Sequence, residues 1–404
     1  MRRRLSLFLF LVACLSLCSL TSATARVVLI RVSAETPEVI DDAQTIEAPV
    51  PAAPSFEPLT IPDPEDALVI PNAAARSSGS RTLTLTFTGD VTLGSEEAYR
   101  GRSTSFESYD ALYGDAYFLE NFQDLFQTDD LTVINLEGVI SDSSAGENKK
   151  KEFRFRGAPE LLNILKVSSV EACNLSNNHM QDYGDRGYQD TKAALQAADI
   201  AYFGYRDSYI FEKDGIRIAF FGLVSPKFTT IFPDAKKEIA AMKADGVNAV
   251  VFIFHAGTEY GKTRNYLQER YARSAIDAGA DLVIMHHPHV LQGMEIYKNR
   301  TICYSLGNFC FGGNSRVKTS DSLMTAVVQA DLTFSENGEY EGQQLRIYPA
   351  HISGTYPESN FQPVRVTGEE ADEVIARIQK DTKYTLNPYD ADDGYALQDY
   401  LSAE

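Results

Sequence analysis

Strand-like and helix-like segments alternate along most of the chain. Thr82–Thr88 alternates polar and apolar residues, Leu131–Leu136 is a short apolar run, and Val247–Phe254 is apolar throughout. These patterns are typical of β-strands, the last of a strand that is buried on both faces. Thr263–Ala278 instead has a helical pattern that ends at Gly279, and glycine is a common stop signal for a helix. The alternation of both kinds of segment predicts an α/β domain built in layers.

The same patterns predict the remaining elements of the domain, and we expect the last helix to pack on its outside. Further strands are predicted at Val170–Leu175, Ile216–Val224, Asp281–Met285, Thr301–Leu306 and Leu323–Phe334. Further helices are predicted at Pro159–Lys166, Gly187–Ala198, Ala235–Ala244 and Glu369–Lys380.

The residues that follow the predicted strands are of types that bind metal ions. In open α/β sheets, the crevice outside the carboxyl ends of the strands is where ligands bind. Five of the six histidines fall at this edge, His351 being the exception. In chain order, the candidate residues are Asp90, Glu137, Asn177, Asn178, His179, His255, His286, His287 and His289.

Each of these residues taken singly also has an ordinary structural role. Asp90 after a glycine fits a turn, Asn178 fits a helix cap, and His255 fits a half-buried strand end. The histidine cluster is more specific, because only Pro288 separates His287 from His289. In an extended segment that proline stiffens, both imidazoles point to one side. This arrangement predicts metal ligands, and the alternative is a surface patch of histidines.

The flanks of the domain indicate where the protein works. A basic start, an apolar stretch and an A-x-A cleavage site predict a signal peptide at residues 1–25. Lipidation at Cys14 and an uncleaved anchor are alternatives, and all three place the protein outside the cytoplasmic membrane, secreted or at the cell surface. Residues 26–81 are rich in proline and predict an extracytoplasmic linker. We expect the domain itself at residues 82–355, and a C-terminal helix and acidic tail at residues 356–404.

The net charge restricts the class of partner, and the cysteine content predicts the state of the thiols. The formal net charge is −19, which argues against a nucleic acid as partner, because phosphate backbones are bound by clustered lysine and arginine. An acidic protein still binds an anion locally where metal ions supply positive charge. Outside the predicted signal peptide the chain has Cys173, Cys303 and Cys310. We expect free, buried thiols, ahead of a disulfide between the last two.

Five short segments resemble, in order and spacing, those of a known family. They read TLTFTGDVTLG, VINLEG, NLSNNHMQDYGDRGY, FIFHAGTEY and HHPHVLQGMEIYKNRTICYSLGNF. On these segments the chain resembles the CapA family of poly-γ-glutamate capsule-synthesis proteins, within the calcineurin-like metallophosphatase superfamily. The resemblance covers about residues 82–355. It implies an α/β fold in the form of a metallophosphatase-like four-layer α/β/β/α sandwich, with a metal site at the strand ends.

The resemblance also implies a role for each candidate residue. Asp90 resembles the first metal-binding aspartate, and Glu137 lies where the superfamily has a bridging aspartate. Asn178 resembles the amide ligand, and His179 the neighbouring general acid, which Asp182 would orient. The remaining ligands that the resemblance implies are His255, His287 and His289, with one of the last two on each metal.

The implied cofactors are divalent metal ions, expected to be two. Mixed carboxylate, amide and imidazole ligands suit Mn, Fe or Zn without selecting one. Two such ions about 3.5–4 Å apart clamp a phosphoryl group and activate a water molecule. Thr92 stands where superfamily enzymes usually have a histidine, so one metal position is expected to be loosely held. Asp182 or Glu259 is expected to hold the second nitrogen of an imidazole.

Three functions are open at this point. The first is metal-dependent hydrolysis of a phosphoester in capsule or envelope polymer synthesis and export, beside membrane-bound capsule-synthesis subunits. The second is metal-dependent binding of an anionic envelope polymer, such as poly-γ-glutamate, by a non-catalytic assembly factor. The third is hydrolysis of the polymer's amide bonds, for which the same activated water would serve.

Overall fold

Two large β-sheets form the centre of the protein. The structure is a computed structural model that describes residues 28–31, 79–314 and 316–401. Within these residues, one sheet has nine strands, a second has seven, and β4 (Val139–Ile140) pairs with β5 (Arg156–Gly157) in a small third sheet.

The strands of the large sheets and the α-helices have the following bounds. The nine-stranded sheet contains β2 (Arg81–Thr92), β3 (Leu131–Leu136), β6 (Ala172–Asn174), β7 (Ala201–Phe203), β14 (Asn308–Phe311), β15 (Met324–Phe334), β16 (Tyr340–His351), β17 (Val364–Arg365) and β18 (Ala396–Leu401). The seven-stranded sheet contains β1 (Val28–Arg31), β8 (Asp207–Lys213), β9 (Ile216–Val224), β10 (Ala249–His255), β11 (Leu282–His286), β12 (Met294–Tyr297) and β13 (Arg300–Cys303). The helices are α1 (Phe106–Tyr113), α2 (Gln123–Thr128), α3 (Leu162–Val167), α4 (Gly184–Ala197), α5 (Phe228–Ala244), α6 (Tyr266–Asp277), α7 (Ser320–Leu323) and α8 (Glu369–Gln379).

Parallel strands at the middle of each sheet set the position of the site. In the nine-stranded sheet β2, β3, β6 and β7 are neighbours and run parallel. In the seven-stranded sheet β9, β10, β11 and β13 do the same. Parallel neighbours end at one edge of a sheet, so the residues that follow them are brought together.

The two sheets pack face to face and helices cover their outer faces. Leu85 and Val133 of the larger sheet share a core with Val251 and Ile284 of the smaller one. Residues of α2 and α3 pack on the outer face of the larger sheet, and residues of α5 and α6 on that of the smaller sheet. The predicted fold class, a metallophosphatase-like four-layer α/β/β/α sandwich, is confirmed by this order of layers.

The C-terminal helix packs one face against the core. The apolar residues Ala371, Val374, Ile375 and Ile378 of α8 join the core between the sheets. The opposite face, which includes Glu370, Asp372 and Glu373, is exposed, so the helix packs on the outside of the domain as predicted. Its apolar residues recur at the three- and four-residue spacing of an amphipathic helix, and such a stripe is stable when a core covers it.

The flanking segments contribute strands to the sheets. Within the predicted linker, β1 pairs antiparallel with β8. Within the predicted acidic tail, β18 pairs antiparallel with β16. The predicted signal peptide and most of the predicted linker lie outside the described residues. No helix of the described part of the chain has the length and apolar character needed to cross a membrane.

Candidate metal centre

The first residue of the candidate site lies inside a strand rather than after it. Asp90 belongs to β2, whose pairing with β3 shifts register between Phe87 and Asp90. Such a bulge turns the side chains that follow it. The strand also approaches Gly307 closely, because a Cβ atom on Gly89 would lie 2.4 Å from the Gly307 carbonyl oxygen. Together these features place the Asp90 carboxylate, fully buried, at the edge where the strands of both sheets end.

Asp90 contacts residues of both sheets. Its Oδ1 accepts a hydrogen bond from Asn135 Nδ2 at 2.7 Å. The Nδ1 atoms of His286 and His289 lie 3.2 Å from its Oδ1 and Oδ2, respectively. Burial alone raises the pKa of Asp90, but the adjacent imidazoles of His286 and His289 outweigh burial and hold this pKa well below its usual range. The carboxylate is therefore ionised.

Glu137 follows β3 and lies at the centre of the cluster. Its Oε1 is 3.5 Å from His255 Nε2 and 3.8 Å from the Nε2 atoms of His179 and His289. The side chain is fully buried, yet neither carboxylate oxygen has a hydrogen-bond partner among the described residues. Burial, and next the charge of Asp90, raise the pKa of Glu137 well above its usual range. A buried carboxylate without partners is costly, and a bound cation is one way to compensate it.

Two groups of ligand atoms meet at Glu137. Asp90, Glu137 and His255 offer atoms that all lie within 4.8 Å of one another, and so do Glu137, His287 and His289. Carboxylate oxygens and imidazole nitrogens together suit divalent transition metals. A cation between them would supply the partner that Glu137 lacks. The residues present therefore fit a divalent metal ion, and Glu137 belongs to both groups.

His255 is the last residue of β10 and joins several of the candidate ligands. Its Nε2 lies 2.8 Å from Asn178 Oδ1 and 3.0 Å from His287 Nδ1. On its other side, its Nδ1 lies 3.2 Å from Asn135 Nδ2. Burial, and then the neighbouring His287, hold the pKa of His255 well below its usual range. The ring is thus neutral, the form in which imidazole binds metals.

The paired histidines lie on a bent segment. His287 has a φ of 101° and His289 a φ of 58°. Residues other than glycine rarely adopt such values, which cost about 1–3 kcal/mol each. The prediction of an extended segment is therefore wrong. The bend still brings the two rings to 5.9 Å from each other. Backbone strain of this kind is concentrated at functional sites.

The two rings differ in protonation. Burial, followed by the charge of His289, lowers the pKa of His287 to about 4. Burial also acts to lower the pKa of His289, but the charges of Glu137 and Asp90 outweigh it and raise that pKa to about 10. His289 Nδ1 is in addition 2.8 Å from Asn308 Oδ1. At neutral pH the His287 ring is therefore neutral, whereas the acidic groups beside His289 keep that ring protonated.

The predicted general acid is held by Asp182, which is in turn held by Lys151, and burial lowers the pKa of His179. His179 Nδ1 lies 2.7 Å from Asp182 Oδ2, and Lys151 Nζ donates to Asp182 Oδ1 at 2.6 Å. Lys151 Nζ also donates to the Asn178 carbonyl oxygen at 2.6 Å. The Phe155 ring packs on His179 with centroids 4.4 Å apart. His179 Nε2 is thereby directed toward Glu137, while Asp182 fixes the opposite nitrogen.

Two further expectations concern Glu259 and Thr92. Glu259 is exposed and lines the cleft above the centre, without a hydrogen bond to a histidine among the described residues. The Thr92 hydroxyl is buried and donates to the Glu137 carbonyl oxygen at 3.0 Å. Thr92 thus fixes the main chain of Glu137 and offers no imidazole to a metal.

The sequence analysis assigned no role to several residues of the centre. Asn135 contacts Asp90 and His255, and it accepts a hydrogen bond from Asn174 Nδ2 at 2.8 Å. A buried asparagine within an apolar strand is itself a signal, because its amide must find partners. The unassigned residues at the centre are Asn135, Lys151, Asn174, His286 and Asn308. The structure brings together every residue that was predicted, namely Asp90, Glu137, Asn178, His179, Asp182, His255, His287 and His289.

Both sheets contribute to the centre. Asp90, Glu137 and Asn178 lie in or after strands of the nine-stranded sheet, and the histidine ligands in or after strands of the seven-stranded sheet. A four-layer sandwich with a buried carboxylate and histidine centre between its two sheets defines a metallophosphatase-like α/β protein.

Comparison with known proteins identifies the family. Residues 84–313 match the model of the family described as bacterial capsule synthesis protein PGA_cap. This match covers more than half of the chain, and the chain therefore belongs to that family. The predicted resemblance to CapA proteins is confirmed.

Relatives with similar sequences carry capsule-related names. The capsule biosynthesis protein CapA of Bacillus anthracis is 28% identical over 335 residues, covering 77% of this chain and 76% of the relative. The PGA biosynthesis protein CapA of Bacillus subtilis (strain 168) is 27% identical over 322 residues, covering 75% and 79%. A structure from Staphylococcus aureus, named as a candidate 5′-nucleotidase in complex with alpha-ketoglutarate, has a TM-score of 0.40 and 12% identity and covers 77% of this chain and 61% of its own.

Proposed function

We propose that the protein acts outside the cytoplasmic membrane in the synthesis or export of an anionic envelope polymer of the poly-γ-glutamate type. In this proposal a divalent metal centre hydrolyses a phosphoester, and membrane-bound capsule-synthesis subunits are its partners. Membership in the capsule-synthesis family and the names of the two CapA relatives support the capsule role. The basic and apolar start of the chain supports the location.

The observation that carries the metal centre is the environment of Glu137. Both of its carboxylate oxygens are buried without a hydrogen-bond partner among the described residues. Three imidazole nitrogens face Oε1 at 3.5–3.8 Å. These distances are too long for hydrogen bonds, and they leave room for an ion between the groups.

Each residue of the centre has a place in the proposed reaction. Bound divalent ions would supply a Lewis acid and an activated water molecule. His179 presents Nε2 to the same space and would donate a proton to the leaving oxygen, while Asp182 holds its Nδ1. The residues that would hold the ions are Asp90, Glu137, Asn178, His255, His287 and His289.

A non-catalytic role is the main alternative. Thr92 favours it, because its hydroxyl is engaged with the Glu137 carbonyl oxygen and supplies no further ligand. In that case the centre would bind carboxylates of the polymer without turnover.

The test begins with the metal content of the purified protein. It is followed by assays of phosphomonoester, phosphodiester and poly-γ-glutamate hydrolysis with added Mn²⁺ or Zn²⁺. We expect bound metal and phosphoester turnover that a chelator abolishes. Metal-dependent binding of poly-γ-glutamate without any turnover would favour the assembly role, and cleavage of the polymer would favour amide hydrolysis. A protein that holds no metal would refute the centre itself.

Lys151 offers a test of how the acid is positioned. Lys151→Met removes the cation that compensates the buried Asp182, so we expect the free energy of unfolding to fall by about 2 kcal/mol. We expect phosphoester hydrolysis to fall about tenfold, because His179 loses a fixed orientation. Chemical unfolding and steady-state rates measure both effects.

Lys149→Met is the matched control, since the Lys149 side chain is 83% exposed. We expect it to change stability by less than about 0.5 kcal/mol. Equal effects of the two substitutions would refute the positioning role of Lys151.

A further inference from the structure

The cleft above the centre has two walls of different chemistry. It has a volume of about 340 Å³, and His179, His289 and Asn308 form its floor. We call the aromatic lining residues Tyr99, Phe153 and Phe155 the aromatic wall, and the lining residues Tyr260, Arg316 and Lys318 the cationic wall. No residue of either wall belongs to the predicted metal ligands.

Arg316 and Lys318 form a cationic rim on this cleft. Both side chains are exposed, whereas Val317 between them is buried and its N–H donates to the Pro357 carbonyl oxygen at 2.8 Å. This alternation is that of an extended segment, in which residues two apart point to the same side about 6.5–7 Å from each other. The rim is therefore a pair of charges with a defined spacing.

The rim charges are not neutralised by neighbouring acids. Glu358 lies opposite Arg316 across a backbone bridge, yet within residues 79–314 and 316–401 neither rim cation forms an ion pair. Glu259 supplies a single negative charge to the same lining. In a protein with a formal net charge of −19, such a local excess of positive charge attracts anions to the cleft.

A chain of contacts connects the rim with the centre. Lys318 Nζ lies 3.8 Å from the centroid of the Tyr260 ring, and this ring lies 6.1 Å from that of His289. One extended ligand can therefore contact both His289 and the rim.

The aromatic wall limits what that molecule is. Phe153 is 45% exposed, and Phe155 packs on His179. Exposed phenylalanine rings in a cleft favour contact with apolar parts of a ligand. A chain in which acidic groups are separated by methylene groups satisfies both walls, whereas a chain made only of phosphates satisfies one.

We propose that Arg316 and Lys318 are a binding subsite for carboxylates of an acidic chain, part of which lies at the metal centre. The proposal rests on the proposed function and deepens it by assigning substrate selection to the rim. Arginine and lysine bind carboxylates through charge-assisted hydrogen bonds. Two such contacts give affinity that increases with the length of the chain until both cations are engaged.

The test measures binding of γ-linked glutamate oligomers, from the monomer upward, to the purified full chain with and without Mn²⁺. We expect affinity to increase with oligomer length, and Arg316→Gln with Lys318→Gln to weaken binding of the longer oligomers about 100-fold. Metal content is expected to stay unchanged, because neither residue contacts a predicted ligand. Calorimetry and elemental analysis give the two readouts.

The matched control is Lys149→Gln with Lys150→Gln, which removes the same charge from exposed lysines outside the cleft lining. It is expected to leave oligomer affinity within about twofold of the unsubstituted protein, because removal of distant exposed charges has a small effect. Equal losses in both double variants, or no dependence on length, would overturn the subsite. Equally tight binding of polyphosphate would overturn the assignment to carboxylates. Absence of metal and of turnover would refute the proposed function alone. The binding measurements without Mn²⁺ would still test whether the rim binds carboxylates.

Discussion

Glu137→Gln is expected to make the metal-free protein more stable and to weaken metal binding at least about 100-fold. The carboxyl group is buried without hydrogen bonds, and its raised pKa means that folding disfavours its charged form. The amide has the same shape and never carries that charge. The amide nitrogen would also donate toward His179 Nε2, because Asp182 binds the other nitrogen of that ring. We expect the free energy of unfolding without metal to rise by about 1 kcal/mol. If Glu137 only stabilised the fold, the substitution would instead lower the free energy of unfolding.

Chemical unfolding in chelator and metal titration measure the two effects. Glu295→Gln is the matched control, because Glu295 is also buried but accepts hydrogen bonds from Arg273 Nε at 2.8 Å and from the Tyr304 hydroxyl at 2.7 Å. That substitution is expected to lower stability and leave metal binding intact. If Glu137→Gln destabilises the metal-free protein, or retains full metal affinity, Glu137 is a structural residue and the centre is wrongly assigned.

His179→Ala is expected to lower the rate of phosphoester hydrolysis by about 10²–10⁴-fold with metal retained. His179 Nε2 is 3.8 Å from Glu137 Oε1, and Nδ1 is bound by Asp182. The imidazole is thus fixed next to the ligands without belonging to either ligand group. Asp182→Asn is expected to have a smaller effect in the same direction, of about 10–100-fold, because the ring remains but loses its fixed orientation.

Steady-state kinetics and elemental analysis on the same preparations test this assignment. His351→Ala is the control, since His351 of β16 is near Glu370 and Glu373 of α8 and is not part of the cleft lining. Its rate is expected to equal that of the unsubstituted protein. Metal loss in His179→Ala would make His179 a ligand. An unchanged rate with an unchanged metal content would exclude it as the acid.

The strands that carry the centre were predictable because each is a compact apolar run. The predicted strand Val247–Phe254 corresponds to β10, and the predicted strand Asp281–Met285 corresponds to β11. The ends of both strands differ from their predictions by at most roughly two residues. The strand β16 was not predicted, because Gly342, Gln343 and Pro349 interrupt its apolar pattern. It forms because β15 and β18 pair with its two edges, and such contacts override local preference.

The residues of the candidate site were predictable from the sequence, but the contacts between them were not. Position after a strand and family resemblance select the ligands, and neither requires a contact to be known. The amide of Asn135, by contrast, lies within hydrogen-bonding distance of His255, 120 positions away. The left-handed backbone of His287 likewise depends on distant parts of the chain. No local pattern specifies it, because only the surrounding fold holds a histidine in that conformation.

The division of the ligands between the sheets has a mechanical consequence. Asp90 and His255 belong to one ligand group but lie in different sheets, 165 positions apart in the chain. An ion held by both would act as a reversible cross-link, and one that closes a loop of this length removes much of the freedom of the unfolded chain. Separation of the two sheets would then require release of the ion. The supply of metal would in this way determine how long the protein stays folded, apart from any reaction that it performs.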